Sequence, residues 1–164
     1  MVVIAGRRFA VPDLLLVGAG AAILIDSLLP WFGYDAPGWH PTYGGFGSGL
    51  LAFFPMLFVL LTAGFAAARA WSGDGAGNVG AGRVTWNLLY LIADGAALAL
   101  LILFSATLPG LEGADVGIKI GGYAAILITL VQAAGAFLAM LAAGEQVAVS
   151  SLRRARSLRL RRSS

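Results

Sequence analysis

Two aspartates lie inside apolar runs of this chain, Asp26 in "ILIDSLLPWF" and Asp94 in "NLLYLIADGAALALLILF". A charged side chain at the centre of a bilayer costs about 2.5–3.5 kcal/mol on insertion scales. Acids kept at such positions serve as polar glue between helices, handle protons or ions, or meet a partner helix. All three roles are open here. Helical spacing supplies candidate neighbours. Asn87, Tyr90, Asp94 and Ser105 fall on one stripe, and Ala19, Ala22 and Asp26 on another. Gly122, Ala125, Thr129, Gln132, Ala136 and Ala139 form a stripe of small residues interrupted by two polar ones. Small stripes let helix backbones approach, and polar side chains then bond across the contact. At about 1.5 Å rise per residue, Gln132 falls near the level of Asp94, and Tyr123 and Lys119 near that of Asp26. Two interhelical contacts are expected: Asp94 with Gln132, and Asp26 with Tyr123 or Lys119.

Other chemistry finds little support. "GAGNVG" (Gly75–Gly80) matches G-x-G-x-x-G literally, but a dinucleotide site needs a strand before it and a helix opening from it. Its flanks read as membrane spans and its glycines as a flexible linker, so no cofactor is expected. His40 is the single histidine, in a Pro- and Gly-rich loop. Zinc would want about four ligands, and Asp35, Glu112 and Asp115 are the only other acids on that face, so no metal is expected. With no cysteine, disulfides and thiol chemistry are excluded. No nucleophile–base set can be assembled around one loop histidine, which argues against an enzyme. The end of the chain, "SSLRRARSLRLRRSS", carries Arg153, Arg154, Arg156, Arg159, Arg161 and Arg162 and no acid. A basic segment beside a membrane is drawn to anionic headgroups by about 1 kcal/mol per residue. Nothing aromatic interleaves these arginines, so nucleic acid is not the expected partner.

The elements that must position the aspartates are membrane helices. The chain is 59% hydrophobic and 12% charged, with a mean hydropathy of +0.86; a soluble domain runs near 45–50% and roughly 25%. A bilayer core of roughly 30 Å takes about 20 apolar residues per helix. Four segments qualify, at about 13–32, 47–70, 86–108 and 119–143. Pro12 and Asp13 suit the first turn of the first helix. Its apolar run is too long for a signal-peptide core and no small-x-small site follows, so it is expected to be retained. Pro55 is expected to kink the second helix. Residues 1–145 therefore read as one four-helix transmembrane domain and 146–164 as a basic tail. Placing both termini in the cytoplasm puts ten arginines inside and only Lys119 outside, as the positive-inside rule requires. Short connections make consecutive helices antiparallel neighbours. The expectation is an all-α, multi-pass bundle in a bacterial plasma membrane.

The first helix ends in "LPWFGY", a short loop with a second Trp follows, and the fourth helix opens with "VGIKIGGYAAILITL". This layout resembles small four-helix membrane proteins of actinobacteria whose first helix ends in Leu-Pro-Trp. The resemblance implies a plasma-membrane protein of a GC-rich organism and brings no activity and no site residues. A claudin-like layout is similar only superficially, because the loop cysteines are missing and the loops are too short. Two roles follow. The first is a non-enzymatic structural or accessory subunit packing against another membrane component. The second is a small oligomeric transporter or channel using Asp94 and Asp26.

Overall fold

A computed structural model describes residues 2–4, 7–72, 85–108 and 115–142, with side chains from Ala10 onward except that of Ser72. Hairpin strands β1 (Val2–Ile4) and β2 (Arg7–Phe9) lead into helix α1 (Val11–Asp26). Strands β3 (Pro30–Asp35) and β4 (Thr42–Gly44) and a 3-10 turn at Gly45–Gly47 precede α2 (Leu50–Ser72). Helix α3 (Trp86–Ala106), strand β5 (Asp115–Ile118) and α4 (Ile120–Ala142) complete the order.

Helix α1 packs on α2 and α4, and α3 packs on the same two, so the four form a ring that runs up, down, up and down. The α1–α2 contact is close: a Cβ on Gly20 would collide with the Cβ of Ala63. Stretches of 22, 21 and 23 residues in α2, α3 and α4 are long and apolar enough to cross a membrane, with mean hydropathies of 2.3, 2.2 and 2.2. Their outward faces carry Phe54, Phe65, Ile92, Ile102, Leu127 and Phe137, all exposed. Water would penalise each of these side chains by about 1.5–3 kcal/mol relative to an apolar medium, whereas lipid accepts them. The protein is an integral, multi-pass membrane protein. Helix α2 runs through Pro55 without interruption.

Two expectations need correction. The first helix was expected to reach residue 32, but it ends at Asp26 after 16 residues, a rise of about 24 Å, short of a bilayer core. Pro30 disfavours helical backbone at Leu29 and carries no N–H for a further turn. The aromatic segment after it favours extended backbone. The all-α expectation accordingly holds for the bundle and not for its end. There β3 is the centre of an antiparallel sheet ordered β4-β3-β5, with Phe32 opposite Tyr43 on one side and Ile118 on the other.

This sheet caps the bundle. Trp31 is fully buried, and its indole N–H donates at 3.0 Å to the Asp26 carbonyl at the helix end, which also accepts the Leu29 N–H at 2.9 Å. The Lys119 N–H donates to the Trp31 carbonyl at 2.9 Å. A Cβ on Gly121 would stand 2.6 Å from Trp31 Cδ1 and 2.8 Å from the Pro30 carbonyl oxygen; one on Gly122 would stand 2.8 Å from the Trp31 carbonyl oxygen. The glycine pair of "KIGGY" thus admits the backbone of "LPWF" onto the start of α4. Phe32 ties the cap to α3 through an edge-on contact with Phe104 at 5.9 Å.

Candidate functional site

The helices place a polar layer across the middle of the bundle. Thr62 lies twelve residues after the first residue of α2, Gln132 twelve after the first of α4, and Asp94 twelve before the last of α3. Each position is thus about 18 Å from the sheet end of its helix. Apolar clusters bound the layer on both sides. Ile23, Val59, Ala97 and Ala125 belong to the cluster toward the sheet, and Leu16, Ala66, Tyr90 and Ala136 to the one beyond. On α2, α3 and α4 the polar residues fall between a member of the first cluster and a member of the second, while α1 contributes only the small buried residues Ala19 and Gly20 between Leu16 and Ile23.

Within the layer Asp94, Thr129 and Gln132 are 0% exposed and Thr62 3%. The Gln132 amide N–H donates to the Val59 carbonyl at 2.9 Å, reaching from α4 to α2. The Thr129 hydroxyl donates to the Ala125 carbonyl of its own helix at 2.8 Å. The Thr62 hydroxyl lies beside the Asp94 carboxyl. Even so, neither Asp94 oxygen nor Gln132 Oε1 completes a hydrogen bond of regular geometry. Asp94 and Gln132 share a level but do not make the expected hydrogen bond to each other; one of the two amide N–H groups is taken by Val59.

Asp26 meets neither expected partner. Tyr123 is 59% exposed on the outer face of α4, and the Lys119 ammonium pairs with Asp35 Oδ2 at 2.7 Å. Because α1 ends at Asp26, its carboxyl lies at the junction of bundle and sheet, six residues or about 9 Å beyond Gly20, which faces Ala63 at the level of the polar layer. It is 3% exposed, and its two carboxyl oxygens also lack a partner of regular geometry. An acid there faces the negative end of the helix dipole.

At the opposite end a second polar cluster closes the ring. The Arg69 guanidinium donates to Asp13 Oδ1 at 3.0 Å and to Asn87 Oδ1 at 2.9 Å, and stacks over the Tyr90 ring at 5.4 Å. Asn87 donates in turn to the Ala139 carbonyl at 3.5 Å. All four helices are joined through these groups. On the sheet, Asp35 also accepts from or pairs with His40 Nδ1 at 3.3 Å. The Lys119 hydrogen bond, opposed by slight desolvation and aided by His40, holds the Asp35 carboxyl below its usual range.

All six positions of the α4 stripe are buried, as are Asn87, Tyr90 and Asp94 on α3; Ser105 is half-buried and donates to the Leu101 carbonyl at 2.8 Å. Thr62 was overlooked, although it falls three residues from Val59 and four from Ala66, on the buried stripe of α2. Asp13 and Arg69 were read only as a first-turn acid and a topology charge. The signal for their pairing was their common place at one end of neighbouring antiparallel helices. The basic tail with its six arginines and the "GAGNVG" segment lie outside the described residues. Among the described residues no three His, Asp or Glu side chains cluster, so the buried oxygens of the layer are the donor set that remains. Comparison with family models, with curated proteins and with solved structures finds no match.

Proposed function

We propose that this integral membrane protein is a small ion-handling transporter or channel, without enzymatic activity, with Asp94 on its path. The supporting observation is the Asp94 carboxyl itself: fully enclosed at mid-bundle, with neither oxygen completing a hydrogen bond of regular geometry. Polar glue would use those oxygens, because an unsatisfied buried group costs about 1–3 kcal/mol, more when charged. The sheet cap on one side and the Arg69 cluster on the other enclose the layer, which suits an occluded state between two gates. Asp26, beneath the cap, is the second acid available to an ion on that route. The arginine and lysine distribution supports both termini cytoplasmic and the sheet outside, and the actinobacterial resemblance supports a bacterial plasma membrane. The tail arginines would then lie against anionic headgroups.

A distinct observation favours the accessory role. An apolar groove of about 320 Å³ runs along the outer seam of α1 and α4 between Leu14, Gly18, Ala22 and Val131. A partner helix or a second copy could seat there, since small residues open a path to the backbone. Flux separates the two roles. In liposomes the wild-type chain is expected to conduct or exchange protons or sodium, and Asp94→Asn to fall to background while its helical circular dichroism is unchanged. Equal wild-type and variant signals, with a stoichiometric foreign chain in the native particle, would favour the accessory role instead.

A further inference from the structure

We propose that Asp94, Gln132 and Thr62 form a binding site for one small monovalent cation, a sodium ion or a proton, taken by oxygen atoms alone. The assignment rests on the transport role only for the cation's way in and out. Three acceptor oxygens, both from Asp94 and one from Gln132, are buried and complete no hydrogen bond of regular geometry, the Thr62 hydroxyl being the donor beside the carboxyl. The Gln132 amide nitrogen is held by the Val59 carbonyl, which leaves Oε1 as its free acceptor in the layer. The Thr62 hydroxyl adds a fourth oxygen beside the carboxyl.

Among the described residues no cation reaches this layer. The titratable groups on the four helices are Asp13 and Asp26 of α1, Arg69 of α2, Tyr90 and Asp94 of α3, and Tyr123 of α4. Arg69 lies seven residues beyond Thr62, about 10 Å along α2, and is committed to Asp13 and Asn87. Asp26 is near the sheet, Tyr123 faces outward, and Tyr90 is one turn toward the Arg69 end. None of the described helices supplies the carboxylate with a positive charge. One carboxylate is matched by one unit of charge, and a set of oxygens without sulfur or imidazole suits a hard ion.

The test is thermal unfolding of the full chain in lipid discs. One arm replaces choline by sodium at constant ionic strength and pH; the other lowers pH in sodium-free buffer. A ligand that binds the folded state raises its melting temperature, on the order of 5 °C at a hundred times its Kd. The wild type is expected to respond in one arm, which names the ion. Asp94→Asn should abolish that response, and Gln132→Leu, which suits an apolar surround, should weaken it. A wild-type melting temperature indifferent to both arms, or a response that survives in Asp94→Asn, would overturn the site. Flux lost in Asp94→Asn without any cation-linked shift would keep the transport role and reject the cation. A cation-linked shift with no flux would keep the site and reject transport.

Discussion

Arg69→Met is expected to destabilise the bundle by about 3–5 kcal/mol, the range for removing one partner of an enclosed ion pair. The guanidinium is 14% exposed and Asp13 18%, so water can replace little of what the substitution takes away. Two acceptors, on Asp13 and Asn87, lose their donor, and Tyr90 loses the cation stacked over it. These contacts come from α1 and α3, which touch α2 and α4 but not each other extensively, so the loss spreads through the ring. Arg69→Lys should recover only part of the loss, because an ammonium cannot serve two acceptors with the geometry of the guanidinium fork. In Arg69→Met/Asp13→Leu the stranded charge is gone, and the double variant should be less damaged than the sum of its singles. Unfolding in mixed micelles measures all four. Additive losses would show that the two residues act independently.

Gly121→Ala is expected to cost about 3 kcal/mol, the upper part of the range for overpacking. The added methyl meets the Trp31 ring at 2.6 Å and the Pro30 carbonyl oxygen at 2.8 Å. The second of these is backbone and cannot rotate away. Strand β3 must lift from α4, and the indole that closes the end of α1 moves with it. Gly117→Ala, in β5, is the control: nothing lies within 4 Å of its new Cβ, so it should be near neutral. Melting temperatures of the two variants in the same discs decide the matter. Equal values would mean that the close approach of cap and helix contributes little.

The helices and the polar layer were legible in the sequence for the same reason. A bilayer imposes a length and an interior imposes a 3.6-residue period, and both are local signals. That is why α2, α3 and α4 differ from expectation by no more than three residues at any end. It is also why Gln132 and Asp94 were placed at one level. The sheet was illegible because β3 and β5 are separated by some 80 residues and joined through short, Gly-rich strands. Hydropathy counted Trp31 and Phe32 as helix because they are apolar, although Pro30 had already announced a stop. The partners of Asp26 were misjudged as a consequence, since a helix running to residue 32 sets that carboxyl deeper than it lies. "LPWFGY" and "KIGGY" stood out as separate motifs. Their relation, an indole seated on a glycine pair, is a contact across 90 residues that only the folded chain displays.

The central claim is that the Asp94 position communicates with water in spite of its burial. The natural chain has no cysteine, so Asp94→Cys carries a single thiol with no background. In native membranes a small cationic methanethiosulfonate should label Asp94→Cys, and should leave Ala97→Cys, one turn away and equally buried, untouched. Labelling confined to position 94 is the result expected of an ion path. If Asp94→Cys proves as inert as Ala97→Cys, no water-filled path reaches the carboxyl and transport of sodium through it fails.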